Sequence, residues 1–166
     1  MTSQVELIGM TRDELRLFVS ELGERQFRGN QLFSWIHEHA VVDLDEMTNL
    51  PKEFRSQLRL SAEMDIPEIV DMVPSAETSS RKFLFKLRDG LKIETVFIPE
   101  GKRKTVCLSS QVGCPLGCKF CATAKMGLLR NLTAGEIIGQ LLAVRRETDE
   151  RITNIVFMGM GEPMLN

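Results

Sequence analysis

The stretch VCLSSQVGCPLGCKFCATAKMG, Val106 to Gly127, contains all four cysteines of the chain. Three of them, Cys114, Cys118 and Cys121, follow the spacing C-x3-C-x2-C. Cysteine thiolates hold iron–sulfur clusters, and a 4Fe–4S cluster has four irons to ligate. Three cysteines in one loop can therefore hold three irons and leave the fourth open, and an open position is what distinguishes a catalytic metal site.

The spacing leaves three alternatives open, and one of them is that the cysteines are buried or unrelated thiols. A structural zinc site usually pairs two C-x2-C hooks, whereas this stretch has one. A closed cluster with Cys107 as a fourth ligand is also compatible with the sequence. The gap between Cys107 and Cys114, and the place of Cys107 in an apolar strand, favour a separate thiol instead. Gly113 and Gly117 permit tight backbone around a metal, and Phe120 puts a ring beside the last cysteine.

Composition bounds the class of protein. The 166 residues are 43% hydrophobic and 27% charged with a net charge of −2, which is typical of a globular chain and does not indicate nucleic-acid binding through bulk charge. The sequence has no signal-peptide pattern and no apolar stretch long enough to span a membrane, so we expect a soluble, cytoplasmic protein. Clustered cysteines in that compartment favour metal binding or catalysis over disulfides.

Residues 1–62 predict an N-terminal helical accessory domain. Thr11 and Glu14 form a capping-box pattern before the first helix, a second helix is expected to end near His39, and a third is expected to begin at Pro51. A short helical turn is expected over 44–50. Basic residues recur with acids between them, so this surface is either a solvated charged face or a contact for RNA phosphates. They are Arg12, Arg16, Arg25, Arg28, Lys52, Arg55 and Arg59.

Residues 63–102 predict a β-hairpin extension. Strands are expected over 66–73, 81–87 and 91–98, the last two joined by the turn dipeptide Asp89-Gly90. This is the most basic zone of the chain, and it is interpreted either as a solvated sheet surface or as a phosphate-facing patch. Alternation places Glu94 on the same face as Val96 and Ile98. Glu94 is then either an exposed edge residue or a positioned acid or base.

Residues 103–166 predict a βαβ unit. A strand over 104–110 leads into the cysteine loop, 128–132 is a connector, and the T-x-x-E capping box at Thr133 opens a helix to about residue 147. The apolar run 152–158 is typical of a buried parallel strand. Ligands bind at the carboxyl ends of parallel strands, so the cysteine loop and the GMGEP segment, residues 159–163, are expected to meet at one ligand site.

These motifs together resemble a known family. The C-x3-C-x2-C spacing with Phe120 resembles the radical S-adenosylmethionine (radical SAM) superfamily. With the segments ETV at 94–96, RNLTAGEI at 130–137 and NIVFMGMGEPMLN at 154–166, the chain is similar to the bacterial RNA adenine-C2 methyltransferases. That family methylates an adenosine of 23S ribosomal RNA and, in its dual-specificity members, an adenosine of tRNA.

The resemblance implies roles for particular residues and a fold. It implies a 4Fe–4S cluster on Cys114, Cys118 and Cys121, and a SAM molecule contacted by Phe120, Gly161 and Glu162. It assigns Glu94 as proton acceptor and Cys107 as the resolving thiol of a transient disulfide. It also implies 23S rRNA and tRNA as partners and an electron donor such as a flavodoxin-type reductant. The implied fold is α/β: the helical domain and β-extension, then the first βαβ part of a radical SAM partial TIM-like barrel over 103–166.

One feature of the family is absent from this sequence. The cysteine that carries the methyl group lies near the C-terminus of family members, and no cysteine here matches it. We therefore expect the chain to be an N-terminal fragment that does not complete methyl transfer alone. Two alternatives remain: a relative that methylates carbon 8 of the same ribosomal adenine, or a non-catalytic RNA- or metal-binding fragment.

Overall fold

The computed structural model describes residues 4–166 and divides the chain into two units. The first unit ends at Ile66 and the second spans Pro67–Asn166. Within residues 4–166, none of the helices combines the length and the apolar character needed to cross a bilayer. The mixture of helices and sheets agrees with the α/β class predicted from the sequence.

The first unit is mainly helical. Its helices are α1 (Arg12–Glu21), α2 (Phe27–Phe33) and α3 (Lys52–Ser61), and α2 continues into a π-helical turn, Ser34–Glu38. Two short strands, β1 (Val5–Glu6) and β2 (Ala62–Glu63), pair in parallel. Apolar side chains from every helix form the core, because each helix turns one stripe inward. They include Leu15, Val19, Leu32, Ile36, Phe54 and Leu58.

The capping box predicted at the start of α1 is confirmed. The Glu14 amide donates to the Thr11 hydroxyl at 3.3 Å, and the Thr11 amide donates to the Glu14 carboxylate at 2.7 Å. The backbone hydrogen bond from Thr11 lowers the pKa of Glu14 below its usual value. Two backbone donors that the helix itself cannot satisfy therefore find partners, which defines where α1 begins.

The predicted helical turn over 44–50 is wrong, since these residues form successive turns. The Asp45 amide donates to the Asp43 side chain at 2.8 Å, a local bond that competes with helix formation. Leu44, Met47 and Leu50 are nevertheless buried. The segment is thus held by its apolar anchors and not by a helical backbone.

The second unit is built on a five-stranded mixed sheet in the order β3-β4-β5-β6-β9. Its strands are β3 (Glu68–Pro74), β4 (Arg81–Lys86), β5 (Lys92–Glu100), β6 (Arg103–Cys107) and β9 (Asn154–Val156). Neighbours from β3 to β6 are antiparallel, whereas β6 and β9 are parallel. The domain boundary predicted at 102/103 falls between β5 and β6, which pair within this one sheet.

Local signals in the hairpin and the crossover helix are confirmed. Gly90 has a φ of 83°, as the Asp89-Gly90 turn requires. On β5, Ile93, Thr95 and Phe97 are buried together, so the predicted alternation is correct. Helix α4 (Ala134–Thr148) begins with a complete capping box. It connects β6 to β9 as the predicted βαβ unit.

Two predictions for the second unit need correction. Residues 128–132 were expected to be a connector, but β8 (Leu128–Asn131) pairs antiparallel with β7 (Gln111–Gly113) in a separate two-stranded sheet. The apolar run 152–158 was expected to be a buried strand, but only three of its residues pair, at the sheet edge. Ile155, Phe157 and Met158 are exposed.

The contact between α1 and α2 depends on Gly29. A Cβ at this position would lie 2.6 Å from the backbone nitrogen of Arg16, closer than the packing allows. We predict that Gly29→Ala destabilises the first unit by about 1 to 2 kcal/mol, because overpacking outweighs the better helix propensity of alanine. Urea unfolding followed by fluorescence of Trp35, the one tryptophan, measures this unit. Ser56→Ala on the exposed face of α3 is the control, and an unchanged midpoint for Gly29→Ala would contradict the prediction.

Candidate active site

The cysteine loop is the tip of a β-hairpin. Strands β7 and β8 form its neck, and the loop comprises residues 114–127. At the neck the Cys114 amide donates to the Gly127 carbonyl at 3.0 Å. Gly113 has a φ of 79°, and a Cβ there would collide with the same carbonyl oxygen. Glycine is therefore required directly before the first predicted ligand.

The three predicted ligands differ in exposure. Cys114 is buried, while Cys118 and Cys121 are partly exposed, and all four cysteines of the chain are free thiols. A backbone hydrogen bond from Ala124 lowers the pKa of Cys121, which favours its thiolate. Phe120 is 93% exposed, so its ring rests on no neighbour.

The donor set fits an iron–sulfur cluster in its chemistry. Three reduced thiols lie on one loop, two of them accessible, and thiolates are the usual ligands of such clusters. Among residues 4–166, however, no three Cys, His, Asp or Glu side chains are gathered closely enough to hold a metal ion. The loop thus carries the right atoms without already holding them in a ligand arrangement.

The GMGEP segment lies directly against the strand-to-loop connection after β6. The Gly159 amide donates to the Leu108 carbonyl at 3.1 Å, and the Ser110 amide donates to the Met160 carbonyl at 2.8 Å. The Glu162 amide donates to the side-chain oxygen of Gln111 at 2.9 Å. The two segments that follow the parallel strands β6 and β9 are therefore in contact, as the topology predicted.

The Glu162 carboxylate has a local partner. It accepts a hydrogen bond from the Met164 amide at 3.0 Å and so caps the short 3-10 helix Pro163–Leu165. Gly161 has a φ of 101°, and a Cβ there would lie 2.7 Å from the Gln111 backbone nitrogen. Both the backbone conformation and the packing require glycine at this position.

Glu94 turns its side chain outward from β5. Its carboxylate accepts a hydrogen bond from the Lys82 ammonium of β4 at 2.8 Å, and both side chains are 46% exposed. The hydrogen bond that Lys82 donates to Glu94 raises the pKa of Lys82. The Glu94 main chain faces inward, where its carbonyl accepts a hydrogen bond from the Ser109 hydroxyl at 2.6 Å.

Cys107 occupies the last position of β6, between its neighbours in β5 and β9. It is paired with Val96 on one side and Val156 on the other. Burial raises the pKa of its thiol, and a hydrogen bond with the Met158 backbone offsets part of that effect. Cys107 is thus a protonated, buried thiol near the point where the GMGEP segment begins.

A buried polar group that the sequence analysis missed holds these parts together. Gln140 of α4 is fully buried, as are Thr95 and Ser109. Gln140 hydrogen-bonds both the amide and the carbonyl of Ser109, each at 3.0 Å. Its signal in the sequence is weak: a single amide side chain within the apolar stripe of a helix.

Arg130 on β8 is a second residue that the sequence analysis did not single out. It makes two bonds to the Glu136 carboxylate, at 2.8 and 2.7 Å, and one to Asp89 at 2.6 Å. The hydrogen bonds to Glu136 raise the pKa of Arg130. Arg130 therefore joins the hairpin neck to the start of α4 and to the β4–β5 turn.

Many of the basic residues singled out as candidate RNA contacts are engaged with acids and aromatic rings. In the first unit Arg16 pairs with Asp13, and Arg12 lies over the Phe33 ring at 4.3 Å. In the second unit Lys86 pairs with Glu68. Such pairs agree with a solvated charged surface, although exposed pairs are weak and open readily to a phosphate.

Comparison with known proteins gives similar relatives over nearly the whole chain. Residues 5–64 match the family model described as the ribosomal RNA large subunit methyltransferase N-terminal domain. The chain is 50% identical, over 98% of its length and 45% of the relative, to a dual-specificity RNA methyltransferase RlmN of Halorhodospira halophila. It is 46% identical, over 98% of its length and 46% of the relative, to an RlmN of Marinobacter nauticus.

A solved structure agrees with these relatives. A radical SAM methyltransferase from Sphaerobacter thermophilus superposes with a TM-score of 0.89 and 42% identity, covering 98% of this chain and 48% of that one. The chain thus spans about half the length of the curated relatives it matches.

The two glycines of the site provide a matched test of its backbone. We predict that Gly161→Ala destabilises the second unit by about 1 to 3 kcal/mol, because it combines strain at positive φ with overpacking against Gln111. Gly117→Ala, where a Cβ would meet nothing within 4 Å, should change stability by less than about 0.5 kcal/mol. Urea unfolding followed by circular dichroism, compared with Trp35 fluorescence, isolates the second unit. Equal effects of the two substitutions would contradict the prediction.

Proposed function

We propose that this chain belongs to the RlmN family of RNA methyltransferases, and that the complete enzyme containing it methylates carbon 2 of an adenosine in 23S rRNA and in tRNA. The similarity to curated relatives, of which the chain spans about half the length, supports this proposal. The observation that carries the proposal is that three features meet at the carboxyl ends of β6 and β9: the strand that bears Glu94, the cysteine hairpin and the GMGEP segment. Residues 103–166 are then the start of a partial TIM-like barrel.

Cys114, Cys118 and Cys121 are the residues that would hold a 4Fe–4S cluster. When bound, the cluster with one open iron would supply the electron that cleaves SAM and begins radical chemistry. The hairpin neck positions Cys114, while Cys118 and Cys121 are partly exposed and are joined by a backbone hydrogen bond of 3.1 Å within the loop. Phe120, Gly161 and Glu162 are the residues proposed to contact SAM.

Glu94 is proposed to accept the proton that leaves carbon 2. This carbon is electron-poor and does not act as a nucleophile, so methylation there must end with loss of its proton to a base. The Glu94 carboxylate is half exposed and is oriented by the Lys82 ammonium, which suits a base that must reach a bound nucleotide. Its main chain is fixed from behind by Ser109.

Cys107 is proposed to release the product. In the proposed reaction a thioether sulfur links the protein to a CH2 group on the adenine. Attack on that sulfur by the thiolate of Cys107 would form a disulfide and break the sulfur–carbon bond, and the electron pair of that bond would stay with the carbon, which takes up a proton to become the methyl group. The raised pKa of Cys107 keeps it protonated, and therefore unreactive, until a base removes its proton. Burial would thus protect the thiol from premature oxidation.

The proposed enzyme would have RNA and a reductant as its partners. The first unit, and the basic surface of the hairpin extension, would contact the phosphates of 23S rRNA and tRNA. A flavodoxin-type reductant would deliver electrons. All these partners lie in the cytoplasm, which is the location that we propose for the enzyme.

The cluster assignment is tested by anaerobic reconstitution with iron and sulfide. We predict a broad visible absorbance that bleaches on reduction in the wild type, and its loss in Cys118→Ala, because one of three ligands is then missing. Cys107→Ala is the matched control and should retain both colour and iron. Loss of iron in Cys107→Ala would instead indicate a closed four-cysteine cluster, and colourless binding of zinc would contradict the proposed function.

The reaction is tested in the complete enzyme by mapping the methylated adenine with mass spectrometry. We predict methylation at carbon 2, and a decrease of about 10²- to 10⁴-fold in Glu94→Gln, since an amide cannot accept the proton. Cleavage of SAM should continue in this variant, because it precedes proton removal. Methylation at carbon 8 would identify the other class of enzyme, and full activity of Glu94→Gln would exclude this carboxylate as the base.

A further inference from the structure

A single serine hydroxyl bridges the two segments that the proposed reaction must align. The Ser109 hydroxyl donates to the Glu94 carbonyl at 2.6 Å and accepts from the Met160 amide at 2.9 Å. One hydrogen bond therefore goes to the strand that carries the proposed base. The other goes to the residue directly before Gly161 and Glu162, the proposed SAM contacts.

The serine is itself held in place by Gln140. The Gln140 side-chain oxygen accepts from the Ser109 amide, and its nitrogen donates to the Ser109 carbonyl. The same oxygen accepts from the Thr95 hydroxyl at 2.7 Å, and the nitrogen also donates to the Glu136 carbonyl at 3.2 Å. Helix α4 thus fixes the backbone position of Ser109 through one side chain.

This network would destabilise the fold if any of its buried polar groups lacked a hydrogen-bond partner. Thr95, Ser109 and Gln140 are each fully buried, and a buried polar group left without a partner costs about 1 to 3 kcal/mol. A well-packed core could use apolar side chains at all three positions without that risk. The polar groups are therefore explained better by what they connect than by the stability they add.

We propose that Ser109 and Gln140 are a positioning pair, which sets the GMGEP segment relative to the strand of Glu94 and so shapes the SAM site. The inference rests on the proposed function and goes beyond it, because neither residue touches the reacting groups. Ser109 acts through its hydroxyl bridge, and Gln140 acts through Ser109.

The first test needs no cofactor. In Ser109→Ala the Met160 amide loses its acceptor, so hydrogen exchange of residues 157–166, measured by mass spectrometry on the intact protein, should become about fivefold faster. Gln140→Met, which keeps the side-chain length but removes the amide, should produce the same local change. The control is Thr148→Ala, which removes a half-buried hydroxyl of the same helix that donates to the Val144 carbonyl and lies outside the network.

The second test measures SAM binding by the complete enzyme after its cluster has been reconstituted. Both network variants should keep the wild-type iron content but bind SAM about tenfold more weakly, because the binding segment is no longer held in place. Unchanged exchange at 157–166, faster exchange spread evenly over the second unit, or unchanged SAM affinity would each overturn the proposal. If the wild type itself binds no SAM, the proposed function fails, and the local exchange result alone decides whether the pair orders this segment.

Discussion

The architecture of the second unit depends on one constraint: buried polar groups must be satisfied. Gln140 lies on the side of α4 that faces the sheet, and both the oxygen and the nitrogen of its side-chain amide are hydrogen-bonded. Through Ser109 it connects the central strand β5 to the backbone that follows β9. Because interiors of low dielectric make an unpaired group costly, these bonds favour this arrangement of helix, strand and turn.

The parts of the fold that follow short-range rules were predictable. Both capping boxes occupy their expected positions, and so does the turn at Asp89-Gly90, because each depends on residues within one turn of backbone. The alternation along β5 was also correct, since it needs only a period of two. By contrast, the pairing of β7 with β8 depends on residues on opposite sides of the cysteine loop. No local pattern in 128–132 indicates such a partner.

The candidate site was predictable in location more than in detail. Parallel topology places the ends of β6 and β9 together, which is why the cysteine stretch and the GMGEP segment could be expected to meet. Gln140 was not predicted, because a glutamine within an apolar stripe is indistinguishable by sequence from one at the edge of that stripe. Under the proposed function the final positions of Cys118 and Cys121 would depend on the bound cluster as well as on the chain, since a ligand arrangement is completed only around the metal.

Glu94 contributes to the molecule in two separable ways. Its carbonyl belongs to the interior network, while its carboxylate faces outward beside Lys82. Any L-amino acid can supply that carbonyl, so the scaffold places little demand on the identity of the side chain. The same framework could consequently carry a different side chain at this position without any change in architecture.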